Sequence, residues 1–479
     1  MMLVAMSTAI SLCARVAKSI LNRRCEERDA WFLSRQLAVR ARRGEGGFIV
    51  MALATYREPR RAQQLLINGQ VFNGYVLTYV CIALAALPGT ATPIQIQSME
   101  YHGRLAAKYE NLKERSAVVL GPPPGTLYSG LRTEMLGNLE VAISGAKARA
   151  SVYYEGTRDG QLELTELFID AGVDENAFVL VGRKREVWGN GITWNPANLL
   201  GEPLFDPETW RTRPLDGVPG REMFQVGTAM PAGEFTLYAL PGLVDPGGNK
   251  ETGLDLAARA TFLFDELETN IGAVQTVNGK NRRSRRSALA FWFSAPLGSQ
   301  TTLFGDASAH FHNPFLYPSD TTLDLDAGRA GETVGSFLLG LRYRLPSDTL
   351  LRMEYFRNGF GYSDGQREAL FEGLASAFAT LDLTNFERFA SNYTRFLLSK
   401  NWVSFSAVHQ AISPKWDWRA GVTLGIDDGS YSPSFSVSYQ LTRSIELRVD
   451  GLLDRGPDTA EFRQQAIENR FTGGVVWHF

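Results

Sequence analysis

The strongest constraint in this chain is a two-residue hydrophobic period that recurs over most of its length and is still running at its last residue. In "RFTGGVVWHF", Phe471, Val475, Trp477 and Phe479 fall on one face. In "DWRAGVTLGI", Trp418, Ala420, Val422, Leu424 and Ile426 stand opposite Asp417, Arg419 and Thr423. "SFSVSYQ" and "SIELRVDG" repeat the pattern, as does "GRLAAKYEN" near residue 104. Successive side chains of a strand point to opposite faces, so this period predicts strands with one apolar and one polar surface. A frayed terminus is ordinarily polar, so an apolar strand that includes the final residue needs a partner.

Eighteen strands, or sixteen if the weakest merge, can be placed by this rule. They lie near 100–112, 130–144, 147–156, 161–170, 177–188, 223–230, 235–241, 254–264 and 268–278. The others lie near 287–295, 301–313, 334–345, 349–360, 393–410, 416–426, 432–441, 445–453 and 470–479. Alternate connections are short, such as "AGVDEN", "PAGE", "DELE", "APLGSQ", "LPSD" and "LTRS". The intervening ones are long and varied, near 113–129, 189–222, 314–333, 361–392 and 454–469. A sandwich has no reason to sort its loops in this way. A transmembrane antiparallel up-and-down β-barrel does, with short periplasmic turns at one rim and long extracellular loops at the other. Backbone groups facing lipid must all be paired, so the fold class expected is an all-β closed barrel. Its last strand should pair with the first near Gly103–Asn111.

The terminal strand ending on Phe479 resembles the C-terminal signature of Gram-negative outer-membrane β-barrel proteins. That resemblance covers residues 92–479 as architecture and implies recognition of Trp477 and Phe479 by the barrel-assembly machinery. "VGRKREVWGNGITWNPANLL" and "LGIDDGSYSPSFSVSYQLTRSIELRVDG" are similar to segments of a bacterial porin-like family whose substrates are largely unassigned. The localisation implied is the bacterial outer membrane.

Composition agrees with export. All three cysteines, Cys13, Cys25 and Cys81, precede residue 91, so the body of the chain carries no thiol. Twelve of the 49 basic and 5 of the 51 acidic residues lie in residues 1–91, leaving 37 and 46 in the remainder. That balance excludes bulk affinity for nucleic acid. "GYVLTYVCIALAALPGTATP" from Gly74 holds an uncharged apolar run, Tyr75 to Leu87, followed by a Pro-Gly break and small residues. It is too short for a comfortable membrane span and reads as a signal-peptide region over 51–91. The Arg-rich residues 1–50 read as an extension with Met51 as the candidate start; a cytosolic helical extension is the alternative. Outer-membrane material is therefore expected to begin near Thr92 and to lack Cys81. Intact mass or N-terminal sequencing checks this, and a mature chain beginning at Met1 or Met51 would overturn it.

The polar faces carry charges of both signs, among them Arg342, Arg344, Arg352, Glu354, Arg419 and Arg448. They describe either a salt-bridge lattice stiffening a hydrated lumen or a field steering polar solutes, and only spatial segregation separates the two. The long loop "WGNGITWNPANLLGEPLFDPETWRTRPLDGVPGREM" combines Trp188, Trp194 and Trp210 with five prolines. Such a composition favours a fixed shape. Folded into the barrel it would bring Asp206, Glu208, Arg211, Arg213, Asp216 and Arg221 to a constriction; folded outward it would be a surface cap. "DGQREALFEGLASAFATLD" (364–382) shifts to helical spacing and predicts a short amphipathic helix in the 361–392 loop. "NGKNRRSRR" (278–286) is a basic outer loop suited to lipopolysaccharide phosphates.

In "FGDASAHFHN", Asp306, Ser308, His310 and His312 share one face of one strand. Same-face neighbours form a row and do not converge, so neither a catalytic triad nor a metal site is nominated. No cofactor is called for. The function expected is a porin-like channel for passive or facilitated diffusion of small polar solutes. The alternatives are an outer-membrane enzyme of lipase or protease type, or a closed structural or adhesion barrel.

Overall fold

A computed structural model describes residues 96–114, 129–143, 146–156, 161–200, 219–241, 253–277, 287–313, 317–318, 325–326, 332–380, 398–410, 415–464 and 467–479. All fall within one compact unit, Ile94–Phe479. The readings made for residues 1–50, for the signal region 51–91, and for the basic loop 278–286 lie outside the described residues.

The strands are β1 (Ile96–Glu114), β2 (Gly130–Ile143), β3 (Ala146–Gly156), β4 (Gln161–Gly172), β5 (Ala177–Lys184) and β6 (Arg221–Met230). Next come β7 (Gly233–Pro241), β8 (Leu254–Phe264), β9 (Leu267–Val277), β10 (Ser287–Pro296), β11 (Thr301–His310) and β12 (Val334–Arg344). The last are β13 (Thr349–Arg357), β14 (Asn401–Gln410), β15 (Trp416–Gly425), β16 (Tyr431–Gln440), β17 (Ile445–Leu453) and β18 (Ile467–His478). Each pairs antiparallel with its neighbours in sequence, and β18 pairs with β1, so the 18-stranded sheet closes. Closure runs from Arg104↔His478 to Asn111↔Phe471 and beyond. It is finished by reciprocal bonds between the Gly103 and Phe479 backbones, at 2.9 and 3.0 Å. The up-and-down barrel, its strand number and its closing pair are those the sequence predicts.

Alternation sets the two surfaces. Leu339, Leu341, Met353, Phe405, Phe435, Val449 and Val475 are exposed outward, while Arg342, Glu354, Ser404 and Arg448 occupy the opposite parity and face the lumen. Near the short-turn rim Trp416, Trp418, Trp477 and Tyr101 extend the outward face as aromatic side chains, the girdle expected at a lipid–water boundary. Among the described residues no helix is long and apolar enough to cross a membrane.

The helix anticipated in the 361–392 loop is α1 (Asp364–Ala379). Ser363 and Gln366 cap it reciprocally: Gln366 Oε1 accepts from the Ser363 N–H at 2.9 Å, and Ser363 Oγ accepts from the Gln366 N–H at 3.3 Å. Tyr317, in a two-residue ladder with 325–326 beside the helix, donates its hydroxyl to the Phe360 carbonyl at 3.0 Å.

Several strand ends differ from expectation, three of them beside long loops. β5 stops at Lys184 instead of 188, β13 at Arg357 instead of 360, and β14 begins at Asn401 instead of 393. The first has the largest consequence, because the chain leaves the wall there and turns inward.

Candidate functional site

Residues 185–200 fold inside the barrel. From the end of β5 the chain reaches Thr193, whose hydroxyl donates to Ser404 Oγ on β14 at 3.0 Å. Those two strands are nine apart in an 18-strand sheet, so the loop crosses to the opposite wall. Four consecutive backbone N–H groups at its tip donate to two lumen carboxylates. Asn190 and Gly191 bind Asp306 on β11, at 2.9 and 2.7 Å to its two oxygens. Ile192 and Thr193 bind the two oxygens of Glu354 on β13, each at 2.9 Å. Arg342 on β12 donates to the Asn190 carbonyl at 2.7 Å, and the Asn190 amide donates to the Phe293 carbonyl at 3.0 Å. Hydrogen bonds to charged acceptors are worth about 1.5–3 kcal/mol each, so the tip is fixed by several strong bonds.

The sequence "WGNGITW" permits this shape. Gly189 has φ +94°, a region L side chains rarely adopt, and at Gly191 a Cβ would fall 1.8 Å from the Trp194 carbonyl oxygen. The tryptophans on either side anchor the loop. Trp188 is fully buried, stacked on Trp292 at 5.6 Å and edge-on to Tyr238 at 5.6 Å. Trp194 is also fully buried, stacked on Phe356 at 5.4 Å and tilted against Trp402 at 6.2 Å. Burial of roughly 150–250 Å² per ring corresponds to about 4–6 kcal/mol each.

Around Trp188 the lumen is apolar. Leu180, Met223, Leu240, Ala257, Val274, Ala290 and Trp292 project inward from β5 to β10 and form one buried cluster with Ala197, Leu199 and Leu200 of the loop. A uniformly wet lumen is therefore corrected: the loop fills the β5–β10 side. A second cluster joins Trp194 to Phe304, Leu338, Phe356, Trp402 and Phe462. Phe462 lies on a short 3-10 helix, Glu461–Gln464. Asp428 holds that helix in place by accepting from the Glu461 N–H at 2.8 Å, and Ser430 Oγ accepts from the Phe462 N–H at 3.1 Å.

The remaining lumen has two electrostatic characters. On β1 to β3 the charges interlock: Lys108–Glu134 at 2.8 Å, Arg132–Glu155 at 2.5 Å and Arg132–Glu110 at 3.4 Å. On β12 to β15 basic charge predominates. Arg342 and Arg352 stand directly opposite one another on adjacent strands, with Arg342 over the Phe304 ring at 4.3 Å. Arg352 has Glu354 at 4.0 Å as its one ion-pair partner among the described residues. Arg344 and Arg419 are exposed, with no acidic side chain within ion-pair distance among the described residues. Of the carboxylates on this side, Asp306 and Glu354 are engaged by the loop backbone, while Asp417 shares the lumen face of β15 with Arg419.

The site residues nominated from sequence thus separate into groups. Glu354 and Arg342 anchor the loop tip. Arg221 anchors its far end, donating to the Leu200 carbonyl at 2.9 Å and to Asp255 at 3.0 Å. Arg344, Arg352 and Arg419 line the basic wall, and Arg448 is paired with Asp450 at 3.0 Å. Asp206, Glu208, Arg211, Arg213 and Asp216 lie outside the described residues. Trp477 and Phe479 sit at the closing seam, their rings 5.1 Å apart. Sequence reasoning missed Asn190, Ser404, Asp428 and Phe462 as organising residues. One signal was available: "ALAFWF" (288–293) is apolar at both parities, as a strand covered on both sides would be. In the Asp306–His312 row, Asp306 is occupied by the loop and His310 lies edge-on to Phe360 at 5.1 Å.

No family model matches this chain, and neither does any curated protein. Among solved structures it is similar to Wzi of Escherichia coli, described as an outer-membrane protein involved in group 1 capsule assembly and a carbohydrate-binding β-barrel. That pair is 9% identical with TM-score 0.48, over 78% of this chain and 83% of that one. The outer-membrane channel DcaP of Acinetobacter baumannii is 12% identical with TM-score 0.40, over 82% and 99%. OprD of Pseudomonas aeruginosa is 11% identical with TM-score 0.45, over 80% and 96%. Likeness at this level says nothing about solutes or partners, so the assignment rests on the barrel itself. Eighteen antiparallel strands, an even number, close on one another with lipid-compatible side chains outward. The chain is an outer-membrane β-barrel protein of the bacterial type.

Proposed function

We infer that this barrel is a porin-like channel for small polar solutes, narrowed by the 185–200 loop and selective for anions. The observation that carries this reading is the division of the lumen. The loop packs on the apolar β5–β10 side, and its tip, Asn190 to Trp194, reaches β11 to β14. On β12 to β15 the lumen face carries Arg342, Arg344, Arg352 and Arg419 against Glu354 and Asp417, an excess of basic charge. Charges lining a passage with low-dielectric walls focus the field and enrich counter-ions, so a wall with an excess of arginine favours anions. An enzyme reading has less support, because Asp306, the acid of the Asp306–His312 row, is committed to holding the loop.

Planar-bilayer recording tests this. Under a KCl gradient the reversal potential is expected to report chloride preference. The Arg344→Gln/Arg352→Gln/Arg419→Gln variant should shift it towards the cation side, with Arg342 left in place because it also holds the loop. Absence of conductance from correctly folded barrels would overturn the channel reading. A wild-type preference for potassium would overturn the anion selectivity.

A further inference from the structure

The basic wall continues sideways into a wall of hydroxyl groups. Across neighbouring strands Arg342 pairs with Arg352, Arg352 with Ser406, Ser406 with Gly421, and Gly421 with Ser434. One step towards the short-turn rim, Arg419 pairs with Ser436. These residues share the lumen-facing parity. On β16 the serines recur at every lumen position from Ser432 to Ser438, an unusual uniformity for a wall whose other strands mix charged, apolar and polar side chains. Ser406, Ser434 and Ser436 are half-exposed and make no side-chain hydrogen bond among the described residues. Gly421, between Ser406 and Ser434, leaves a shallow dip in the row. From Arg352 to Ser434 is three strand spacings, about 14 Å.

Two features point to a ligand. Like charges placed directly opposite on adjacent strands repel, and Arg342 faces Arg352 with a single carboxylate, Glu354, at 4.0 Å from the second. An anion between the guanidinium groups and Arg419 relieves that repulsion. Beside them, each serine supplies one donor and two acceptor positions, which suits a ligand with several hydroxyl groups better than an apolar one.

We propose that Arg352, Arg419, Ser406, Ser434 and Ser436 form a subsite for polyhydroxylated carboxylates, monosaccharide acids being the class that fits. The arginines take the carboxylate and the serines take the ring hydroxyls. This inference rests on the channel reading and adds the solute class to it.

Flux into proteoliposomes at neutral pH tests the subsite with three probes of similar size. Glucuronate carries both charge and hydroxyls, cyclohexanecarboxylate the charge alone, and glucose the hydroxyls alone. Glucuronate is expected to exceed each of the others by about fivefold, the ratio one net hydrogen bond of about 1 kcal/mol supports. In the Ser406→Ala/Ser434→Ala/Ser436→Ala barrel the advantage over cyclohexanecarboxylate should vanish, while that over glucose and the chloride preference persist. Equal flux of glucuronate and cyclohexanecarboxylate through the wild-type barrel, or an advantage that survives the triple substitution, would overturn the subsite and leave the anion channel standing. No conductance in the same preparation would overturn the channel reading, and the subsite with it.

Discussion

Replacing residues 187–200 by a short Gly/Ser bridge is expected to raise single-channel conductance roughly two- to fourfold and to weaken ion selectivity. An 18-strand barrel is wide enough to hold an aqueous passage once nothing fills it. The loop fills the β5–β10 side and reaches across to Asp306, Glu354 and Ser404. Excision also uncovers apolar wall residues such as Leu180 and Met223, so folding has to be verified by heat-dependent gel migration. A second variant avoids that complication. Asp306→Ala/Glu354→Ala keeps the loop but removes the acceptors of four backbone N–H groups at its tip. With both tryptophans still buried, the loop stays attached near Trp188 while its tip is released. The expected record is an open channel with added current noise and a higher mean conductance. Unchanged conductance in both variants, with barrels folded, would end the constriction idea and move attention to the Phe462 segment.

Deleting Phe479 is expected to lower the yield of assembled barrel several-fold while leaving the conductance of assembled molecules unchanged. Phe479 completes the only pair that turns this sheet into a barrel, exchanging backbone hydrogen bonds with Gly103. Its ring covers Gly103, where a Cβ would fall 2.3 Å from Cε2, and rests against Tyr101 and Trp477 at 5.7 and 5.1 Å. Loss of the residue removes both backbone partners of Gly103 and leaves the closing seam one pair short. Gly103→Val tests the same seam from the other side, since the new side chain displaces the ring while the backbone bonds remain possible. It should give an intermediate yield. The lumen lies far from this contact in function, so a changed conductance would show that the terminus does more than close the wall. Full yield after the deletion would sink the assembly role.

The sequence by itself determined the wall. A period of two is local, each strand repeats it independently, and lipid outside demands closure, so strand number, parity and the β1–β18 seam were all legible from "GRLAAKYEN" to "VVWHF". The helix at 364–379 was legible for the same reason, its spacing being local. What fills the barrel was not. Asp306 and Glu354 read as two lumen acids among many, and nothing near them in sequence distinguishes an acid that steers solute from one that holds a loop. Their partners, Asn190 and Ile192, lie 116 and 162 residues away. The early end of β5 has the same origin: residues 185–188 carry an acceptable strand pattern, but burying Trp188 against Trp292 and Tyr238 outweighs four more residues of wall. Charge segregation also appeared only in the folded chain, because a basic residue counts as uncompensated only once the acids beside it have been assigned to other partners. Periodicity fixes which face a side chain occupies, whereas contacts across the lumen decide what that side chain is free to do.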